Sequence, residues 1–379
     1  MMHTNMHTLS PHQLRHDVSQ LFEHAGVSKD EAEQVAANLV LSNSSGHDSH
    51  GVGMAPRYID AIFEKRLMPG AKVTAHIDHG ALLGLNGHGG FGQSVGVEAM
   101  NLAFEKVKSE GACIMSLSNS HHLGRIGHFA EMAVANGWIS IHFVNVLSRP
   151  VVAAFQAGDG RFGTNPCCIG IPIGSPVGSP MGMENNPLNN PLNNPLNNAF
   201  ILDFATSAVA QGKMRVAHNL GLSAKPGLLI DEHGHPTTNP SVVVKAQSNG
   251  KFGALLTFGE HKGSGLAIAC ELLGGALSGG GTWRKEANSA RAVMNGMLSI
   301  VIDPKAMGQD NFFYPETQAF IDWLKESPPE PGTPGMILAG EPERQARIER
   351  ETGIEIDETT LKELQASALK VNANDLFQI

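Results

Sequence analysis

The sequence predicts an α+β fold, a mixed β-sheet covered by helices plus a helical part, and not a Rossmann fold. Three observations carry this reading. Amphipathic helical spacing dominates both ends of the 379-residue chain. Short aliphatic, β-branched runs crowd its middle. Strands and helices mix there without a clean βαβα repeat, which argues for a mixed sheet rather than a doubly wound one. The expected division is a helical domain built from residues 1–75 and 306–379, and a mixed-sheet domain over 76–305.

Each element has a local reason. Ser10-Pro11 opens a helix, with Leu14, Val18, Leu21, Phe22 and Ala25 at helical spacing and Gly26 as its stop. Ser28-Lys29-Asp30-Glu31 reads as a capping box, followed by Ala32, Val35, Ala36, Leu39 and Val40 on one face. PRYIDAIF (56–63) is a third helix. Strands are expected at 81–86, 113–117, 139–145, 167–173, 200–205, 228–236 and 297–303, with helices over 93–109 and 126–136 between them. Further helices cover 315–327 and 340–353, and 354–379 reads as a final helix and tail. MENNPLNNPLNNPLNN (183–198) repeats PLNN three times. Pro and Asn resist regular structure, so this PLNN-repeat loop reads as an expanded connection between strands.

Composition excludes several classes. Hydrophobic residues at 41% and charged residues at 17% are ordinary for a folded protein. A net charge of −9 with no Lys/Arg run gives no footprint for nucleic acid. No run of 18 apolar residues reads as a membrane span. The N-terminus lacks the pattern of a signal peptide. Cys113, Cys167, Cys168 and Cys270 each lie in an apolar run outside any CxxC pattern. They read as reduced core residues of a cytoplasmic protein.

Two polar stretches carry the chemistry. GHDSHGVG (46–53) places Ser49 and His50 in a glycine-fenced turn after a well-marked helix. NSHHLGRIGH (119–128) offers His121-His122 between Ser120 and Gly124. Such loop histidines suit proton transfer near neutral pH, and the two stretches are expected to meet in one cleft. No metal is expected, because HExxH is absent and no third ligand sits at a known spacing. GxSxG and P-loop patterns are absent as well. GHGGFG (87–92) matches GxGxxG between a strand and a helix. The next strand, however, ends in Leu117-Ser118-Asn119 without the acidic residue a dinucleotide fingerprint requires. It is read as a glycine turn that lets strand and helix pack closely. HKGSGLAIACELLGGAL (261–277) sets a lysine at a helix start, an anion-binding arrangement. DFATSAVAQGK (203–213) sets Asp203, Thr206 and Ser207 where a strand turns into a helix.

GHDSHGVGMAPRY (46–58), NSHHLGRIG (119–127), FGTNP (162–166), LDFATS (202–207), HKGSGLA (261–267) and AGEPER (339–344) occur in this order. Together they resemble the malate/L-lactate dehydrogenase family of the non-Rossmann type, which includes ureidoglycolate, sulfolactate, diketogulonate and piperideine-carboxylate enzymes. The resemblance covers nearly the whole chain. It implies an NAD- or NADP-dependent homodimer that binds its cofactor on an unusual mixed sheet, here 76–305. It implies His50, His122 and Ser49 as catalytic residues, with either histidine as the proton-transferring group. It implies Asp203, Phe204, Ala205, Thr206, Ser207, His261, Lys262, Gly340 and Glu341 at the cofactor. Many members carry an arginine four residues after the Ser-His histidine, where it can grip a substrate carboxylate. Here that position is Met54, which leaves Arg57, Arg125 and Arg149 as candidate cations for a substrate site lined by Met54.

The implied reaction is reversible hydride transfer between a nicotinamide and a small 2-hydroxy/2-keto or 2-imino acid, with a histidine cation stabilising and protonating the carbonyl oxygen. Two rival readings remain: a hydrolase or lyase using the same histidines without nicotinamide, and a catalytically silent dimer of the same fold.

Overall fold

The computed structural model describes residues 6–174, 198–284 and 293–378. Strand β1 (Met6–Leu9) leads into helix α1 (Pro11–His24), whose N-cap Ser10 accepts from the Gln13 amide. Gly26, at φ +88, reverses the chain into α2 (Lys29–Ser44). The capping box expected at Ser28–Glu31 does not close on itself, and Ser28 makes no side-chain cap. Glu31 instead accepts from the Gly70 amide at 2.6 Å and the Ser94 hydroxyl at 2.7 Å, tying α2 to two later segments. After two single 3₁₀ turns, Asp48–His50 and Val52–Met54, comes α3 (Ala55–Phe63).

The central sheet then begins. Strands β2 (Thr74–His79) and β3 (Leu82–Asn86) form a hairpin, and α4 (Gly92–Glu110) crosses to β4 (Ala112–His121), parallel to β3. Helix α5 (Gly127–Ala135) connects to β5 (Ile139–Leu147). Short strands β6 (Val152–Ala153) and β7 (Gly160–Phe162) leave this sheet, and β8 (Cys167–Pro172) returns to pair with β9 (Ala199–Phe204). The PLNN-repeat loop, apart from Asn198, lies outside the described residues. Next come α6 (Gln211–Asn219), the β10 (Leu229–Ile230) and β11 (Pro236–Thr237) hairpin, α7 (Ser241–Val244), β12 (Ala254–Leu255) and α8 (His261–Cys270). The stretch 228–236, expected as a strand ending in a turn, is the short β10 and a turn at Asp231, whose carboxylate accepts from the His233 and His235 amides, before β11 begins.

Strand β13 (Met294–Ile302) inserts between β4 and β5, completing a seven-stranded sheet in the order β2-β3-β4-β13-β5-β8-β9. Only its β3–β4 pair is parallel. A smaller sheet runs β11-β10-β12-β6-β7. The chain ends with α9 (Asp310–Lys325), α10 (Glu341–Glu349), β14 (Ile354–Asp357) and α11 (Glu358–Lys370). Ile354–Asp357, expected within a helix and tail, is a strand. Its Ile-Glu-Ile-Asp alternation buries Ile354 and Ile356 while pairing with β1, and Asp357 caps α11 by accepting from the Thr359 and Thr360 amides.

One hydrophobic core joins both chain ends: Leu14, Phe22, Leu39, Tyr58 and Phe91 pack with Ile354, Leu364 and Phe377. A second core lies between the central sheet and α4 and α5, around Met100, Leu117, Phe129 and Val301. On the other face, a π-helical turn, Glu271–Leu277, presses its backbone against β5 and β13. A Cβ on Gly296 would sit 2.0 Å from the Gly274 carbonyl oxygen, so only glycine admits this contact. Gly296→Ala should therefore destabilise the fold by about 1–3 kcal/mol or more in urea denaturation, the cost of overpacking against backbone. An unchanged midpoint would mean that the π-helical turn is free to shift.

Candidate active site

The end of α2 builds the first half of the site. Asn43 accepts the Val52 amide at 2.8 Å and donates to Asp48 at 2.7 Å, bracing both 3₁₀ turns from inside. Its side chain lies against Gly51, where a Cβ would overlap it at 2.1 Å. Helix α10 grips the same loop from outside. Glu343 meets His47 at 3.0 Å, Arg347 donates to Ser45 at 2.8 Å, and Arg350 holds Asp48 through two bonds at 2.7 and 3.2 Å. Each surface pair is worth about 0–1 kcal/mol alone, so the gain lies in restricting the loop. Ser49 is exposed at its tip and touches α6, 3.1 Å from where a Gly212 Cβ would sit.

The second half comes from the end of β4. Asn295 on β13 accepts the Leu123 amide at 2.8 Å and so anchors the residue after His122. The His50 and His122 rings stack with centroids 5.5 Å apart and planes 11° apart. Both are half-buried, and His50 Nδ1 lies 3.1 Å from Ser49 Oγ. His122 Nδ1 lies 2.6 Å from the hydroxyl of buried Tyr58. Neither Nε2 has a hydrogen-bond partner among the described residues. Burial pushes the His50 imidazole down to about 4, aided by His47 and Arg125. Burial also holds His122 well below its ordinary range, aided by His50, His121 and Arg57. Burial thus favours the neutral form of both imidazoles. His121, its neighbour, is buried with its ring edge-on to Tyr58 at 5.3 Å.

The three sequence blocks implied at a cofactor converge on the end of β9. Phe258 donates its amide to the Thr206 carbonyl, and Ser207 bridges to Thr257, so the 203–207 turn abuts the start of α8. The rings of Phe204 and Phe258 meet edge-on at 5.5 Å. Residues 338–340 run beside β9, with the Ile201 amide donating to Ala339. Within this group the roles divide. The Thr206 hydroxyl is spent on the Thr164 and Asn165 carbonyls, and the Ser207 hydroxyl on Val209. Asp203 accepts the Gly127 amide at 2.7 Å, and Glu341 pairs with Lys325 and with the Leu338 amide. Ala205 is half-buried beside them, and Gly340, at φ +94, packs on Ile201. His261 and Lys262 are exposed at the N-terminus of α8, and the Lys262 ammonium has no partner among the described residues. The Lys262 and Ser264 amides donate to the Gly259 and Glu260 carbonyls, so the lysine ammonium is the group left to meet an anion there.

The candidate substrate residues separate sharply. Arg57, exposed on α3, makes no hydrogen bond or ion pair among the described residues and lies within electrostatic reach of His122 and Tyr58. Met54 packs half-buried against the helical core. Arg125 is 2% exposed and ion-paired to Glu131 at 2.5 Å, with Arg347 on the other carboxylate oxygen. Its Nη1 is buried without a partner among the described residues. Arg149 lies over the Phe252 ring and donates to the Val243 carbonyl, so its charge is engaged in the smaller-sheet layer.

GHGGFG is closed to phosphates. A Cβ on Gly92 would meet the His122 carbonyl oxygen at 2.3 Å, and the Gly87 and Gly89 amides donate to Ser118 and Asn119. The glycines let α4 approach the strand that delivers His122. No cluster of three metal-ligating side chains occurs among the described residues, and no described helix is long and apolar enough to cross a membrane.

Tyr58, Gln93, Asn43, Asn295 and the α10 arginines escape sequence reasoning, because each acts through contacts distant in the chain. The regular i, i+3 and i+4 spacing of Tyr58 with core residues of α3 signals only burial.

A stacked histidine pair whose Nε2 atoms have no partner among the described residues is suited to acid–base chemistry. The sequence profile of the malate/L-lactate dehydrogenase family matches residues 9–365, and the chain belongs to that family. It is 41% identical to hydroxycarboxylate dehydrogenase B of Escherichia coli K12 over 93% of this chain and 91% of that protein. It is 36% identical to an L-lactate dehydrogenase of Cupriavidus necator, covering 91% of this chain and 93% of that protein. Its fold matches sulfolactate dehydrogenase from Methanocaldococcus jannaschii with a TM-score of 0.80 at 28% identity, over 98% of this chain and 100% of the other. The protein is thereby a dehydrogenase of small hydroxy acids.

The neutral histidines make stability depend on pH. Burial pushes His121 and His128 down to about 4 and His142 to about 3. Unfolded, these groups return to their ordinary value of about 6.5. Below that pH the unfolded chain binds protons that the folded one refuses, so stability falls as pH drops from about 6.5 towards 4. The slope is up to about 1.4 kcal/mol per pH unit for each histidine. Urea midpoints at pH 7.5 and 5.5 should show a clear loss at the lower pH, and equal midpoints would refute the buried-neutral assignment.

Proposed function

We propose that the protein is an NAD(P)-dependent oxidoreductase that interconverts a small 2-hydroxy acid with its 2-keto (or 2-imino) acid, working as a cytoplasmic homodimer. The observation that carries this reading is the stacked His50–His122 pair, whose two Nε2 atoms have no partner among the described residues. A bound nicotinamide supplies or accepts the hydride. The chain's own residues hold and orient both ligands. Lys262 and the α8 N-terminus would take the pyrophosphate, with Phe204, Ala205 and Gly340 lining the cradle. The histidines meet the substrate oxygen at which negative charge grows during reduction. A neutral imidazole in this pair is poised to accept the hydroxyl proton in the oxidation direction.

Arg57 is the cation proposed to hold the substrate carboxylate, since Met54 is packed on the core and Arg125 is ion-paired. A single arginine, with Met54 rather than a second cation close by in the chain, favours monocarboxylates over dicarboxylates. Turnover followed at the nicotinamide absorbance band, with pyruvate, phenylpyruvate and oxaloacetate as a panel, tests the reading. Activity on a monocarboxylate is expected. His50→Ala and His122→Ala should each lower kcat by about 10²–10⁴. No oxidation or reduction of either nicotinamide with any 2-keto or 2-hydroxy acid would favour a hydrolase, a lyase or a silent dimer.

The two cations should also separate in their effects. Arg57→Ala should weaken kcat/KM for the keto acid by about 1.5–3 kcal/mol, the worth of hydrogen bonds to a charged group. Lys262→Ala should raise the nicotinamide Kd and leave the keto-acid preference alone. Exchange of these two phenotypes would overturn the assignment of sites.

A further inference from the structure

The stacked histidines are chemically unlike, and the difference is set behind them. Gln93, at the start of α4, is 1% exposed. Its Nε2 donates to the Tyr58 hydroxyl oxygen at 2.9 Å, and that hydroxyl lies 2.6 Å from His122 Nδ1. With its oxygen already receiving a proton from Gln93, Tyr58 directs its own O–H to His122. Burial raises the Tyr58 phenol above its ordinary range, so it remains a donor throughout the working pH. The Gln93 amide is oriented with Nε2 on the Tyr58 hydroxyl, and its Oε1, like Asn38 Oδ1, has no partner among the described residues.

We infer that Gln93 is a positioning residue which, through Tyr58, locks His122 in the tautomer that carries its proton on Nε2. This rests on the proposed function and deepens it. A neutral imidazole whose Nδ1 accepts from Tyr58 can only donate at Nε2, so His122 offers the substrate oxygen a hydrogen bond and cannot take its proton. His50 is free of this constraint: its Nδ1 faces Ser49 Oγ, a hydroxyl that can donate or accept. In the oxidation direction the C–H bond breaks with its electron pair passing to the nicotinamide. The substrate O–H bond breaks with its proton passing to His50 Nε2, and the C=O bond forms within the hydrogen bond from His122. Groups facing His122 are His50 from the loop, Tyr58 and Arg57 from α3, and His121 beside it, and none but Tyr58 bonds to its ring.

The test is a long-range ¹H–¹⁵N spectrum of the full-length protein at neutral pH, with the His122 ring assigned by its loss in His122→Asn. An Nε2–H pattern is expected. An Nδ1–H or doubly protonated pattern in the wild-type protein overturns the inference, and this outcome needs no folded variant at residue 93. Gln93→Leu then removes the donor and lets Tyr58 accept as well as donate. The His122 pattern should become an average of both tautomers, with kcat falling about tenfold, the rate equivalent of one hydrogen bond, and the nicotinamide Kd unchanged. A Gln93→Leu protein with the wild-type pattern and kcat also overturns it. The spectrum reports the tautomer whether or not nicotinamide binds. Absence of dehydrogenase activity would therefore defeat the proposed function and leave this inference to stand or fall by itself.

Discussion

The site depends on a buried phenol. Tyr58 has its ring inside the helical core, between Phe22 at 6.4 Å and Phe91 at 6.0 Å. Its hydroxyl reaches out of that core to His122, which is delivered by the central sheet. One side chain thus couples the core made by both chain ends to the strand that ends at the cleft. The arrangement is demanding because a buried hydroxyl costs stability unless it is bonded. Gln93 and His122 together satisfy it. The same bonds that stabilise the phenol therefore determine where the histidine ring sits and which of its nitrogens holds a proton.

A second constraint acts on His50. It has no such rigid anchor of its own, and its loop is two 3₁₀ turns of three residues each. Order comes from Asn43 within and from α10 without. Because α10 begins at Gly340 beside β9 and continues to Arg350 on Asp48, one helix spans from the proposed cofactor cradle to the loop that carries the histidine. Buried Arg125 and Glu131, with half-buried Arg347, continue this lattice into the sheet layer. Burial, aided by Arg125 at His50 and Arg57 at His122, disfavours a proton on either stacked ring.

Much of this was legible in the sequence, and the limits are physical. The amphipathic periodicity of α1, α2 and α4 reports burial directly, and the aliphatic runs of β4, β5 and β13 report a sheet. Ser49, His50 and His122 stand out because polar, proton-carrying residues fenced by glycine are rare in helices and strands. The strand order was not legible, because β13 lies between β4 and β5 while coming late in the chain. β14 was hidden because four residues are too few to separate a strand from a helix by period. The fate of the arginines was hidden for a different reason. Arg57 and Arg125 look alike in sequence, yet one is exposed without a pairing partner among the described residues and the other is buried against Glu131. The distinction belongs to packing between distant segments. The same holds for Gln93, which reads as an ordinary polar residue at a helix start and is buried only because Tyr58 meets it there.

The central claim is that these histidines serve hydride transfer at the second carbon of a hydroxy acid. Its most direct measurement uses L-lactate, or another monocarboxylic 2-hydroxy acid, carrying deuterium at that carbon. The protein is incubated with this substrate and each oxidised nicotinamide in turn, and the reduced nicotinamide is examined by mass spectrometry. The account predicts that the deuterium appears on the nicotinamide, with the wild-type protein and not with the double variant His50→Ala/His122→Ala. Product formation with the deuterium lost to water, or no labelled nicotinamide from any hydroxy acid, would contradict it.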